Sequence, residues 1–136
     1  MTDITLNQAL AVLDAARAKA EETGVPSTIS VLDSGARVVA TVRQDGAPLI
    51  SVDSSLAKAR TAVFFKSPTE ALVPAVQPGA PLYTLGDATS EQLTFLAGGR
   101  PIVDAQGNVI GAVGSGGGTP DQDDVIAQAA AGALSL

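Results

Sequence analysis

Apolar residues recur every three or four positions in three segments of the chain, which predicts three amphipathic helices. The first helix follows Thr5, which forms a capping box with Gln8, and it ends before Gly24. The second is expected over about Asp53–Phe65 and the third over about Pro120–Leu134. In the first helix the repeat is Leu6, Leu10, Leu13, Arg17 and Ala20, which is apolar until its last turn, and Arg17 is expected to belong to a solvated end. The expected inner faces are Leu56, Ala59, Val63 and Phe64 in the second helix, and Val125, Ile126, Ala129, Ala130, Ala133 and Leu134 in the third.

Two pairs of short apolar segments predict two β-hairpins. Ser27–Leu32 and Arg37–Arg43 flank one group of turn residues, and Arg100–Val103 and Val109–Val113 flank another. Hairpins favour an antiparallel sheet, and the three helices need an apolar surface to cover. The sequence therefore predicts an α+β fold, arranged as one domain over residues 1–136.

The connection between the hairpins is expected to be ordered. Thr69–Val73 can form a short helix before Pro74, and Phe95–Arg100 could add a short strand. Gln77–Ala88 is interpreted as an ordered loop, because loops of this length in compact domains tend to be functional or to mediate contacts. The side chains expected to be buried in that loop are Pro78, Leu82, Tyr83 and Leu85.

A run of glycines joins the last strand to the last helix. Thr119 and Gln122 form a second capping box, with Pro120 at the first helical position. Three acidic residues follow in the first turn, Asp121, Asp123 and Asp124, and they disfavour an anion there. The favoured interpretation is a structural turn with ordinary helix-start acids, and the alternatives are an anion site or close packing against a ligand or a second subunit.

Composition excludes several classes of function. A net charge of −6 makes nucleic acid an unexpected partner, since phosphate contacts need clustered cations. The chain has no histidine and no cysteine, so the commonest general base and the commonest metal ligands are missing, and we expect no metal site. No run of about 18 apolar residues occurs, so we expect a cytoplasmic protein with no membrane partner. With only 3% aromatic residues, burial in a homo-oligomer is expected to add stability.

The second helix carries the candidate chemistry. Lys58 and Arg60 lie within one turn, and Thr61 and Phe65 share a face with Lys58. Together with Arg43, Lys58 could hold a carboxylate or act as a base. The alternative is a structural salt bridge, and the acidic residues considered as its partner are Asp33, Asp45 and Asp53.

Several segments, taken in order, resemble one known family, the GlcG/HbpS-like or haem-degrading domain family. These segments are Leu6–Leu10, Val31–Gly35, Gln44–Pro48, Lys58–Ala62, Gly98–Ile102 and Gly111–Asp123. The resemblance implies a profilin-like fold, with a five-stranded antiparallel sheet and helices on both faces. It also implies homo-oligomers, often octamers, and ligands such as haem, iron or cobalamin-related compounds. Without histidine, Tyr83 is the candidate axial ligand for a haem iron, unless it is a packed loop aromatic.

Three functional hypotheses follow from the residues and the resemblance. The first is a small-ligand-binding protein, with haem or a related tetrapyrrole as the ligand. The second is a cofactor-independent enzyme acting on a small carbonyl or carboxylate metabolite, with Lys58 and Arg60 as candidate catalytic residues. The third is a structural or accessory oligomeric subunit. The expected ligand-binding residues are Arg43, Lys58, Thr61, Phe65, Tyr83, Gly98 and Gly116.

Overall fold

The computed structural model describes residues 3–134. Its regular elements alternate between helices and hairpins. In chain order they are α1 (Leu6–Thr23), β1 (Thr28–Asp33), β2 (Val38–Arg43), α2 (Ile50–Phe65), two 3-10 helices (Thr69–Val76 and Leu85–Ala88), β3 (Gly99–Val103), β4 (Val109–Gly116) and α3 (Pro120–Ala131).

The strands form one antiparallel sheet in the order β2-β1-β4-β3. Both predicted hairpins are confirmed, but the prediction of five strands is wrong, because the sheet has four. The expected extra strand near Phe95–Arg100 does not form before Gly99. Instead, the Thr69 hydroxyl donates to the Leu96 carbonyl at 2.6 Å, and the Thr94 amide donates to the Thr61 hydroxyl at 3.1 Å. Side chains rather than a neighbouring strand therefore hold this segment.

Helices cover both faces of the sheet. On one face, Ile29 and Val31 of β1 join the larger core together with residues of α1 and α3. On the other face, α2 lies over β1, where its serines hydrogen-bond to strand hydroxyls. These pairs are Thr28–Ser51 and Ser30–Ser55, each 2.8 Å apart. The structure is thus a mixed α and β fold with one antiparallel sheet flanked by helices, and its assignment as profilin-like stays a prediction.

The capping residues in the sequence predicted the N-terminus correctly for two of the three α-helices. Both capping boxes are present, Thr5 with Gln8 and Thr119 with Gln122. The predicted start of α2 is three residues late, since α2 begins at Ile50 without a side-chain cap. The predicted short helix after α2 is a 3-10 helix that continues to Val76.

The inner faces of α1 and α2 match the predicted ones in part, since Leu13 and Ala20 of α1 and Ala59 and Val63 of α2 are buried as expected. Leu6 and Leu10 are 56% and 45% exposed, and Phe64 of α2 is 41% exposed. In both helices the buried side is lined mainly by small residues, which allow a closer approach to the sheet than leucine or phenylalanine would. The buried residues are Ala9, Val12, Leu13, Ala16 and Ala20 in α1, and Ser51, Ser55, Lys58, Ala59, Thr61, Ala62 and Val63 in α2.

The long loop also differs from its prediction. Leu82 and Tyr83 are exposed rather than buried, as is Pro78, while Leu85 is half-buried. This loop therefore extends over the surface without a core of its own. Within residues 3–134, no helix combines the length and the apolar character needed to cross a membrane.

Glycines of β4 allow α2 to lie directly on the sheet. A Cβ atom on Gly114 would overlap the Ser55 carbonyl oxygen and lie 2.6 Å from the Ala59 nitrogen. A Cβ atom on Gly116 would likewise overlap the Ser54 hydroxyl. The glycine run that the sequence placed in a turn thus starts within β4. There the backbone of α2 occupies the space that side chains of the strand would otherwise fill.

Candidate functional site

The Lys58 side chain forms a buried ion pair at the end of the sheet. Its ammonium donates to Oδ2 of Asp123 at 2.7 Å and to the Ser115 carbonyl oxygen at 3.0 Å. The side chains of Lys58 and Asp123 are only 2% and 3% exposed. The other carboxylate oxygen of Asp123 accepts the Gly118 amide at 2.9 Å. The pair therefore links α2, β4 and the glycine turn before α3.

This ion pair corrects two sequence-based expectations. The partner of Lys58 is none of the three aspartates considered, because Asp123 is the carboxylate that reaches it. Asp123 is consequently not an ordinary solvated helix-start acid. A signal for this was present: Asp123 precedes Ile126, Ala127 and Ala130 by three, four and seven residues, and all three are buried. The inner face of α3 thus begins at Asp123.

A small cavity of about 190 Å³ opens beside the ion pair. Its charged wall is Lys58 and Asp123, and a glycine at position 98 makes room for them. A Cβ atom on Gly98 would lie 2.8 Å from Cβ of Asp123 and 3.0 Å from Nζ of Lys58. The other residues that line the cavity are Pro48, Ile50, Ser54, Leu96, Gly117, Gly118 and Pro120. Lys58 and Gly98, both predicted site residues, are therefore in close contact at this cavity. Gly116, a third predicted residue, is close to the hydroxyl of Ser54, which lines the cavity.

The start of α3 is also anchored to β3. Arg100 donates two hydrogen bonds to the Asp124 carboxylate, at 2.8 and 2.9 Å, and lies 3.9 Å from Glu70. Hydrogen bonding to Asp124 is the main cause that raises the pKa of Arg100 above its ordinary value. Asp123 and Asp124 thus pair with cations on different elements, and this fixes the orientation of the first turn of α3.

A second, larger cleft of about 610 Å³ lies between the end of α1 and the end of β2. Arg17 and Arg43 stand on its rim, together with the carboxylates of Glu21 and Asp45. Its apolar wall is formed by Ala20, Val25, Pro26 and Val42. Arg43 is therefore separated from Lys58, and the two do not form one site as the sequence suggested. Sequence reasoning missed Arg17 as a site residue, because it assigned Arg17 to a solvated end of α1.

The remaining predicted residues lie outside both cavities. Arg60 contacts the segment that precedes β3, with Nε 3.5 Å from Glu91 and a hydrogen bond to the Gln92 carbonyl. Thr61 is buried and accepts the Thr94 amide. The Phe65 ring packs against that of Phe95, with centroids 6.3 Å apart. Tyr83 is 57% exposed on the loop. Arg60, Thr61 and Phe65 hence position the segment 91–95, and their predicted role in binding stays a prediction.

Among residues 3–134, no three acidic side chains come together in a way that could hold a metal ion. The three acids of α3 diverge, since Asp123 pairs with Lys58, Asp124 pairs with Arg100 and Asp121 is exposed. A hard-cation site built from these three acids does not fit this arrangement.

Comparison with known proteins gives consistent matches over nearly the whole chain. The family model described as "Haem degrading protein HbpS-like" matches residues 4–132. An uncharacterised 15.0 kDa protein of the dhaT-dhaS intergenic region of Citrobacter freundii is 42% identical over 127 residues, which is 93% of this chain and 89% of that protein.

Solved structures give the same result. A PduOC:heme complex has a TM-score of 0.91 and 32% identity, and the match covers 98% of this chain and 96% of that one. A double variant of Streptomyces reticuli HbpS has a TM-score of 0.88 and 35% identity, with 100% and 90% covered.

Proposed function

The chain belongs to the HbpS-like haem-degrading family, and we propose on that basis that it is a small-ligand-binding protein whose ligand is haem or a related tetrapyrrole. The proposal is supported by a related protein of known structure, which is described as a heme complex. The observation that carries it is the larger cleft between α1 and β2.

The size and lining of this cleft suit a tetrapyrrole. Its volume of about 610 Å³ lies within the roughly 300–1,000 Å³ typical of ligand pockets. The apolar wall suits the macrocycle, and the guanidinium groups of Arg17 and Arg43 suit its carboxylates. Within residues 3–134, Arg43 has no ion-pair partner closer than 4.0 Å, and Arg17 pairs only with the exposed Asp14 at 3.5 Å. Both arginines are therefore free to turn toward a ligand.

The residues that line the cleft include no usual axial ligand for the iron of haem. The chain has no histidine or cysteine, and Tyr83 does not line the cleft, although these residue types are among the usual axial ligands. The residues thus fit the macrocycle and its carboxylates but not the metal. We expect recognition to depend on the organic part of the ligand, so that haem and its metal-free parent bind alike.

Replacing Arg43 with alanine is expected to weaken haemin binding by about tenfold or more, because a hydrogen bond to a charged group contributes roughly 1.5–3 kcal/mol. A titration followed by the Soret absorbance measures this effect, and a parallel fluorescence titration uses metal-free protoporphyrin IX. Arg37→Ala is the matched control, since Arg37 lies on the same hairpin and is exposed outside the cleft. Absence of a saturable Soret change at low micromolar haemin in the unmodified protein would remove the proposal.

The other hypotheses are ranked below this one. The enzymatic hypothesis assigned Lys58 and Arg60 to one site, but Arg60 contacts Glu91 and does not line the cavity beside Lys58. The accessory-subunit hypothesis is compatible with the family, as are a single domain over residues 1–136, a profilin-like fold and a cytoplasmic location. These stay predictions.

Self-association is part of the proposal. Leu49, Ile50 and Leu96 are 81%, 68% and 55% exposed, and Ile50 and Leu96 border the same small cavity. Leu49 adjoins Ile50 in the chain, and exposed apolar side chains grouped in this way are typical of an interaction surface. We propose that a second copy of this chain covers it within a homo-oligomer, for which the family resemblance suggests eight subunits.

Light scattering coupled to gel filtration is expected to give a mass several times 13.5 kDa. Leu49→Glu is expected to reduce that mass, because the introduced charge would have to be buried between subunits. Leu82→Glu, on the exposed loop, is the control for a charge placed elsewhere. If the unmodified protein had the mass of a monomer even at the high concentrations used for crystallisation, the prediction would be contradicted.

A further inference from the structure

The small cavity beside Lys58 has features that tetrapyrrole binding does not use. At about 190 Å³, it is smaller than the roughly 300–1,000 Å³ of most pockets for larger ligands. Pro48, Ile50 and Leu96 give it apolar walls, and the buried ion pair forms its polar end. We infer that this cavity binds an uncharged carbonyl compound of three or four carbons, independently of the larger cleft.

The hydrogen-bonding capacity of Lys58 supports an oxygen acceptor. A lysine ammonium has three N–H donors. Among residues 3–134, only two acceptors are in range, the Asp123 carboxylate and the Ser115 carbonyl. Because the Lys58 side chain is 2% exposed and lines the cavity, a third acceptor would have to come from inside the cavity. A carbonyl oxygen entering the cavity would accept the remaining N–H, and a buried donor without a partner costs free energy.

The charges around the cavity favour a neutral ligand over an acid. Lys58 and Asp123 neutralise each other at 2.7 Å, so a carboxylate ligand would add a negative charge without a counter-ion. Desolvating such a charge beside Asp123 is costly, whereas a ketone or aldehyde oxygen accepts a hydrogen bond and brings no charge. The ion pair therefore selects against the carboxylate metabolite that Lys58 alone suggested.

The rest of the lining suits a short carbon chain. The side chains of Ile50 and Leu96 stand on the rim, opposite the glycine turn Gly117–Gly118. In the homo-oligomer proposed above, the second copy would contact this rim and enclose a ligand bound beneath it. Glycine lets a ligand approach the backbone closely at this point. A compound of three or four carbons would contact Leu96 with its alkyl groups and Lys58 with its oxygen.

Acetone and acetate provide a matched test, because each has four heavy atoms and they differ in charge. In a titration followed by ¹H–¹⁵N spectra, acetone is expected to shift the amide signals of Leu96, Gly117 and Gly118 to saturation. For so small a ligand we expect a Kd of roughly 1–10 mM. Acetate is expected to bind at least tenfold more weakly. Equal or tighter binding of acetate, or a linear response without saturation at the cavity signals, would overturn the inference.

Two variants separate this site from the tetrapyrrole cleft. Lys58→Met combined with Asp123→Asn removes the donor without leaving a lone buried charge, and it is expected to weaken acetone binding at least tenfold while haemin binding is unchanged. Leu96→Ala is expected to weaken acetone binding severalfold, with Leu82→Ala as the surface control. Unchanged acetone binding in the Lys58/Asp123 double variant would also overturn the inference, whatever the outcome of the haemin titration.

Discussion

Replacing Lys58 with methionine is expected to lower the free energy of unfolding by about 3–5 kcal/mol, because it leaves the buried Asp123 carboxylate without its cation. Asp123 is 2% exposed, and its remaining partner is the single amide of Gly118. Chemical denaturation followed by circular dichroism measures the change. A loss of this size is a large part of the stability of a small domain.

The double variant Lys58→Met/Asp123→Asn shows whether the ion pair itself stabilises the fold. It removes both charges, and the carboxamide oxygen that replaces the carboxylate can still accept the Gly118 amide. We expect it to recover at least half of the loss, since replacing both members of a buried pair is often close to neutral. If the double variant were as unstable as the single one, loss of packing rather than an isolated charge would be the cause.

Gly114→Ala is expected to destabilise the protein by about 3 kcal/mol or more, because the added methyl group would overlap the backbone of α2. The obstacle is the Ser55 carbonyl and the Ala59 nitrogen, and a helix backbone cannot move aside as a flexible side chain can. Relief would require α2 to lift from the sheet, which would also break its hydroxyl contacts with β1.

Gly86→Ala is the control for this prediction. Gly86 lies in a 3-10 helix, and a Cβ atom there would have no neighbour within 4 Å. We expect its effect on the free energy of unfolding to be within about 0.5 kcal/mol. Equal stability of the Gly114 and Gly86 variants would show that α2 does not press on β4 as described.

Features decided by neighbouring residues were predictable from the sequence. Thr5 and Thr119 each form a capping box with a residue three positions later, so four adjacent residues contain the whole signal. The turn at Asp33 is similar, because its carboxylate accepts amides from Gly35 and Arg37. Such contacts require no knowledge of the remaining chain.

The helix faces were predicted less well, because alanine and serine do not show which side is buried. In α1 the leucines at positions 6 and 10 suggested the inner side, but both are exposed, and the buried residues are Ala9, Val12, Leu13, Ala16 and Ala20. Close packing favours small residues on the buried side here, and hydrophobicity alone ranks leucine above alanine. The signal from residue size opposes the signal from hydrophobicity.

The candidate site depended on contacts that are distant in sequence. Lys58 and Asp123 are 65 residues apart, and their pairing requires the whole β3–β4 hairpin to be in place. Residue type indicated that Lys58 was of interest, but several aspartates were equally acceptable partners. The prediction of a fifth strand was wrong for a related reason. Thr61 and Thr69 hold that segment by hydrogen bonds to residues about 30 positions away, which no local sequence pattern reveals.

The hydroxyl pairs beneath α2 have a consequence for how ligands are accommodated. Hydrogen bonds are directional, so Thr28–Ser51 and Ser30–Ser55 define both the rotation of α2 about its axis and its position along the strand. A shift of the helix by even one residue would break both pairs. The buried Thr28 hydroxyl, whose partner among the described residues is Ser51, would then lose its hydrogen bond, at roughly 1–3 kcal/mol. Any adaptation to an incoming molecule must therefore occur in the loops and side chains around a stationary helix.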